Sequence, residues 1–161
     1  MAREHASIKM TPEELDEYLG SYQRLIVATL DDDGAPWADA AAYVFLDDRI
    51  WFRVPTDTAT YRHLRRDGLV CCVVESKPDD STYYGIKGAM MHGRAEVLDE
   101  GSSPAVHQAL AERPDPVSPE RTDGVVFSVG LEDSTSFSFE KIQGRYQDKP
   151  LEKLQAEAQR G

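Results

Sequence analysis

Apolar positions in this chain recur in two rhythms. Leu15, Tyr18 and Leu19 follow one another at helical spacing behind Thr11-Pro12-Glu13-Glu14. That opening predicts a helix ending near Gly20: Thr caps it, Pro suits its first position, and Glu in the third place can reach back to the cap. From Leu25 the pattern becomes strand-like. Leu25 to Leu30 (LIVATL) reads as a strand closed by Asp31-Asp32-Asp33-Gly34, where Asp-Gly signals a hairpin. Ala38 to Leu46 reads as the returning strand, Asp47-Asp48 as the next turn and Ile50 to Val54 as a third strand, which together form a meander.

The segment PTDTATYRHLRRDG, Pro55 to Gly68, interrupts the strands, with helical character from Thr58 and Tyr61 and Leu64 facing inward. Leu69 to Glu75 (LVCCVVE) is a continuous β-prone run, expected to be a buried strand. A polar turn occupies Ser76 to Thr82. Tyr83 to Val97 is long for a strand, and Gly85, Gly88 and Gly93 within it predict a bend or bulge. Ala105 to Ala111 reads as a short helix, Arg113 to Pro119 as a Pro-rich loop, and Val125 to Val129 and Thr135 to Lys141 as the last strands. Beyond Pro150, Leu151 and Leu154 share one face of an expected terminal helix. The result is a mostly β chain of six or seven antiparallel strands with short helices and no βαβ alternation. A small barrel is the economical closure, because it hides sheet edges. Residues 1–145 form its single domain and 146–161 a helical tail.

Composition narrows the partners. At 161 residues with 40% hydrophobic and 29% charged content, the chain suits one globular domain. Its net charge of -11 argues against nucleic acid and against an anionic membrane surface, both of which reward Lys and Arg. The N-terminal MAREHASIKM lacks the apolar core of a signal peptide, no apolar run approaches membrane-spanning length, and the adjacent Cys71 and Cys72 make no C-x-x-C motif. A cytoplasmic address is expected.

Against that acidic background, Arg53, Arg62, Arg65 and Arg66 cluster around Thr56, Thr58 and Thr60. Two readings stand side by side. The first turn of a helix offers free N–H groups to an anion, to which the threonine hydroxyls and Arg53 and Arg62 would add donors. Alternatively, Thr58 caps a helix whose C-terminal end is favoured by Arg65 and Arg66. The histidines His5, His63, His92 and His107 show no metal spacing, and no metal is expected. Nucleophile-elbow, P-loop and dinucleotide fingerprints are absent, so any redox chemistry would come from a borrowed cofactor.

Read in order, the motifs resemble the flavin-binding split-barrel superfamily, the pyridoxamine 5′-phosphate oxidase-like proteins. The resemblance spans roughly residues 10–142: Ala28-Thr29-Leu30, Asp33-Gly34-Ala35-Pro36, a strand ending in Tyr43 and Phe45, Ile50-Trp51-Phe52, the H-L-R-R-D segment His63 to Asp67, and Gly93 to Leu98. It implies a six- to seven-stranded antiparallel split barrel. It also implies a homodimer with FMN or the deazaflavin F420 at its interface. The short H-L-R-R-D version looks most like the actinobacterial F420-dependent reductase branch. The phosphate loop of such proteins, T-x-x-x-S-x-K-x-x-N-L, is altered here to Val54, Thr58, Thr60 and His63. The R-x-x-x-K and C-terminal R-L-x-P signatures of a true pyridoxamine phosphate oxidase are missing.

The resemblance implies an oxidoreductase moving a hydride to or from a small conjugated or carbonyl-bearing molecule. Arg53, Thr56, Thr58, Thr60, Arg62 and His63 would face the cofactor phosphate, with Lys87 as a supplementary cation. Tyr43, Tyr84 and His92 are candidates for substrate contact or proton donation. Ala38, Ala40, Ala41 and Ala42 lie where relatives back the flavin ring, either leaving room there or merely fitting a crowded wall. Two alternatives belong to other classes: a non-catalytic flavin- or haem-binding module with His63 or His92 as axial ligand, and a cofactor-free enzyme on the same fold.

Overall fold

The computed structural model describes residues 7–21, 24–76 and 85–142. Tyr84, most of the polar turn after Ser76 and the expected terminal helix lie outside the described residues.

The first helix, α1 (Pro12–Ser21), begins as the sequence predicts. Glu14 N–H donates to Thr11 Oγ1 (3.2 Å) and Thr11 N–H to Glu14 Oε2 (2.8 Å), a reciprocal capping box. Strands β1 (Arg24–Leu30), β2 (Pro36–Leu46) and β3 (Arg49–Val54) form the meander. Asp31 builds the first turn by accepting the Asp33 and Ala35 N–H groups on its carboxylate. Asp47 and Asp48 both take positive φ (53° and 56°), as a two-residue hairpin turn requires. Then come α2 (Ala59–Asp67), β4 (Leu69–Ser76), β5 (Lys87–Arg94), β6 (Glu96–Val97), α3 (Pro104–Ala111), β7 (Val125–Gly130) and β8 (Ser134–Ser138).

The eight strands order as β6-β7-β3-β2-β1-β4-β5-β8, and every pairing is antiparallel. β5 ends at Arg94 and β6 starts at Glu96, yet they lie towards opposite ends of this order. One intervening residue can join them only if the sheet curls until its edges meet, which makes it a barrel. The predicted long strand is therefore two, broken at Ala95. The last strand ends at Ser138, three residues short of its expected limit.

Leu25, Val27, Tyr43, Ile50, Phe52, Cys72, Val74, Met91, Phe127 and Val129 fill the barrel, each at most 2% exposed, and α1 adds Leu15, Tyr18 and Leu19 at one end. Gly88 leaves room for the Phe137 ring, which would sit 2.5 Å from any β-carbon there. The run Leu69 to Glu75 differs from expectation. It is buried on one face only: Val70, Cys72 and Val74 point in, while Leu69, at 39% exposure, and Glu75 point out. A continuous apolar run predicts two covered faces, but here the outer one is left open by the described residues. Among the described residues no helix is long and apolar enough to cross a membrane.

Candidate functional site

β2 belongs to two ladders. Its residues 36–42 pair with β1 and its residues 43–46 with β3. At Tyr43 it parts from β3, so the β3-facing edge of residues 36–42 has no strand partner among the described residues. The sheet splits at this point, and the split holds a cavity of about 140 Å³ lined by β1, β2, the end of β3, the entry to α2 and the strap between α3 and β7.

Arg53 on β3 lines the cavity together with Thr58 and Thr60 of the α2 entry. Its guanidinium has no ion-pair or hydrogen-bond partner among the described residues. Its stem is seated against Gly124, where a β-carbon would lie 2.9 Å from Arg53 Cγ and 2.7 Å from Val54 O, at φ +136°. Only glycine gives the strap that close approach. The two threonines are engaged locally. Thr58 is the N-cap of α2, donating to Pro55 O (2.7 Å) and accepting from Tyr61 N–H (3.2 Å). Thr60 Oγ1 donates to Asp39 Oδ2, which also accepts from Trp37 Nε1 (3.0 Å).

The strap supplies Asp115, Val117, Ser118 and Arg121 to the lining. The Asp115 carboxylate accepts from the Val117 (2.8 Å) and Ser118 (2.7 Å) N–H groups and so shapes its own turn. Arg121 clasps two carboxylates: Nε donates to Asp123 (2.7 Å), and Nη2 to Asp57 (2.8 Å) and Asp123 (2.9 Å). The guanidinium holds the Asp123 carboxyl below its ordinary range, with Arg53 a smaller influence. The same two carboxylates, Asp123 first, push Arg121 further above its ordinary value.

The structure thus brings Arg53, Thr58 and Thr60 together and leaves the other candidates elsewhere. Thr56 and Arg62 are exposed and outside the lining. His63 is 6% exposed beneath α2, with Nδ1 2.9 Å from Thr29 Oγ1 and Trp37 edge-on to its ring, so it packs the helix to the sheet. Lys87 pairs with Glu140 (3.1 Å) beside α1 and lines a different hollow with Glu14 and Tyr18. Tyr43 is fully buried, its hydroxyl donating to Leu19 O (2.7 Å) inside the barrel. His92 is exposed on the outer face of β5, opposite Cys71 of β4. Of the alanines, Ala40 and Ala41 line the cavity. Arg66 takes the helix-end role, tying α2 to the first hairpin through Asp32 (2.8 Å) and Leu30 O (2.8 Å).

Sequence reasoning missed Asp39, Arg121 and the rest of the strap. Asp39 carried a local signal, as one carboxylate in an alanine-rich strand. Arg121 carried a local signal only for Asp123, two residues on; its approach to Asp57, 64 residues away, and to the cavity had none.

The family described as pyridoxamine 5′-phosphate oxidase matches residues 11–134. The chain belongs to this family. No curated protein matches. Among solved structures, a conserved hypothetical protein of Mycobacterium tuberculosis is similar at TM-score 0.68 and 23% identity, over 85% of this chain and 90% of the other. A FAD-binding protein of Mesorhizobium loti follows at TM-score 0.64 and 16% identity, over 80% and 93% of the two chains. The haem storage protein HutZ of Vibrio cholerae reaches TM-score 0.62 at 17% identity, over 80% and 97%. At such identities the likeness establishes the family's fold, and function has to be argued from the site.

Proposed function

We propose that this member of the family holds a flavin-type cofactor, FMN or the deazaflavin F420, in the split. We further propose that it works as an oxidoreductase, passing a hydride between that cofactor and a small conjugated or carbonyl-bearing molecule. One observation carries the reading: the cavity joins a guanidinium and a strand edge that have no partner among the described residues, Arg53 and residues 36–42 of β2, to the small side chains of Ala40 and Ala41. These residues fit the group. Arg53 meets the anionic end, the open edge of β2 offers backbone hydrogen bonds, and the short side chains of Ala40 and Ala41, one on each face of β2, leave that edge accessible. The cofactor would supply the hydride chemistry, while the protein binds and orients. Fluorescence titration with FMN and with F420 tests the reading. Binding of either below about 100 μM is expected, and failure of both ends the proposal.

The working form is proposed to be a homodimer. Ile26, Ala28, Cys71, Val73 and Met90 share the outer face of β1, β4 and β5, as their cross-strand register dictates. A second copy presenting the same face would cover them. Sedimentation of the purified protein should give twice the chain mass; a monomer at high concentration would end this part of the proposal.

A second reading has an observation of its own. His92 stands exposed opposite Cys71, and neither side chain has a partner among the described residues. That suits a non-catalytic haem binder with His92 as axial ligand, whereas His63 is committed to Thr29. A Soret band on haem addition, lost in His92→Ala, would favour this reading.

A further inference from the structure

The open face of β1, β4 and β5 carries an apolar cross-strand row, Ile26, Val73 and Met90, and beside it a row of different chemistry. In that second row Ala28 lies opposite Cys71, and Cys71 lies opposite His92. Directly opposed residues of antiparallel strands have β-carbons about 4.5–5.5 Å apart. A thiol and an imidazole so placed can reach one metal ion, at about 2.3 Å for sulfur and about 2.0–2.1 Å for nitrogen in a zinc site. Neither side chain has a partner among the described residues. His92 is exposed and Cys71 half-buried, whereas Cys72, at 0% exposure inside the barrel, takes no part. Ala28, on the far side of Cys71, is too small to screen the sulfur from an approaching surface. The nearest charged residues are occupied or turned to the backbone: Arg94 donates to Asp67 O, and Asp133 meets His92 through its carbonyl, which accepts the His92 N–H (2.9 Å). Among the described residues of one chain, no third His, Cys, Asp or Glu completes a metal site.

We infer that Cys71 and His92 are half of a zinc site, which the same pair of a second copy completes as Cys2His2 across the open face. The inference rests on the homodimer proposed above and names what joins its halves. A two-fold interface applies one patch to itself, so residues beside its axis meet their own equivalents. Two thiols and two imidazoles in a tetrahedral array are a ligand set that suits zinc. Charge favours the closed set. Two thiolates cancel the two charges of the ion and neutral imidazoles add none, so the assembly is neutral beside Ile26, Val73 and Met90. An uncompensated ion against that apolar row would be costly. Each thiol gives its proton to solvent as the metal binds. Four protein ligands leave no open position, so the ion clips the two chains together and takes no substrate. Zinc ligation and haem ligation exclude one another at His92.

The full chain, stripped of metal with a chelator and titrated with zinc at pH 8, tests this by native mass spectrometry and sedimentation. One zinc per two chains is expected, and zinc should tighten the dimer about tenfold or more. Cobalt in place of zinc should give the intense visible bands of a tetrahedral thiolate site. Cys71→Ser and His92→Ala should each abolish those bands and the tightening by zinc. His107→Ala, at an exposed position of α3, should leave both unchanged. Thermal melting of the metal-free variants checks their folding. If one of them does not fold the other decides, and if neither folds the stoichiometry and cobalt spectrum of the wild type decide. One zinc on a single chain, or cobalt bands that survive either substitution, overturns the site. A dimer that takes up no zinc also overturns it but leaves the homodimer standing. A monomer that takes up no zinc removes both.

Discussion

The outer surface of the barrel has two halves built from the same kind of sheet, and among the described residues only one of them is covered. Over β2, β3 and β7, helix α3 sets Val106 and Leu110, at 2% and 1% exposure, onto Val44 and Val126, with Trp51 and Leu46 packed around them. Over β1, β4 and β5 there is no such helix among the described residues, and Ile26, Leu30 and Leu69 stand 43%, 39% and 39% exposed. Both halves alternate apolar residues with the barrel interior. The chain therefore spends its outward apolar positions on two different tasks: an intramolecular layer on one side and, as proposed, an intermolecular one on the other. The candidate cavity lies where β2 passes between the two, so its lining borrows from both halves.

The largest effect separates the halves by stability. Leu110→Ala removes a fully packed side chain and should cost about 2–5 kcal/mol in urea unfolding. Ile26→Ala on the open half should cost under about 1 kcal/mol in the isolated chain, because much of that side chain is already in water. If the two losses were equal, the open half would be no less structural than the covered one.

Association should reverse the ranking. Ile26→Lys places a charge at the centre of the proposed contact and should shift sedimentation from twice the chain mass to the single chain, with melting of the dissociated chain little changed. A Lys on the covered half, as in Val106→Lys, should instead unfold the chain, because it buries a charge without a partner. An Ile26→Lys protein that still sediments as a dimer would move the interface elsewhere.

The adjacent thiols give a finer measure of the same contrast. Cys72 points into the barrel and Cys71 towards the open face. Burial pushes both thiols above their ordinary value, Cys72 far more strongly. At pH 8 a maleimide should leave Cys72 untouched in the folded protein and label Cys71 slowly. Cys71 labelling should accelerate in Ile26→Lys if a second copy shields it in the wild type. Equal rates in the two proteins would argue against shielding.

These contrasts also show what the sequence could carry. The capping box at Thr11 and Glu14 and the turns at Asp31 and Asp47-Asp48 are local, and each formed as read. The meander β1-β2-β3 was legible because its hairpins join adjacent segments, whereas the pairings β1-β4, β3-β7 and β5-β8 join distant ones and carried no local signal. The one-sided burial of LVCCVVE was not, since an apolar run looks alike whether its outer face meets a helix or stays open. Within PTDTATYRHLRRDG, the same residues supported an anion site and a helix end. The fold divides them, with Arg66 in the helix end, Thr58 in the cap and Thr60 bonded to Asp39. Arg121 was illegible for a different reason: it approaches Asp57 and the cavity only because the strap returns across β3, and no local spacing encodes that.

The smallest effect concerns that strap and is set by pH. Hydrogen bonding to Arg121 holds the Asp123 carboxyl below its ordinary value of 3.8. A carboxyl lowered in the folded state contributes stability above its unfolded pKa, and that contribution is lost as pH falls through the lowered folded value. Asp123→Asn removes this contribution, so it should melt slightly below the wild type at pH 7, and the gap should close as pH falls below the ordinary carboxylate range through the lowered folded value. Glu14 and Asp67 are also lowered, by Lys141 and by the Leu69 N–H respectively, so both proteins lose stability in acid. Only the difference between them reports on Asp123. The group is solvent-exposed, so added salt should shrink the gap as well. The Leu110→Ala deficit should answer to neither pH nor salt, because it comes from lost packing. A gap in Asp123→Asn that persisted unchanged at low pH and high salt would mean the strap is held by packing against Gly124 rather than by the Arg121 clasp.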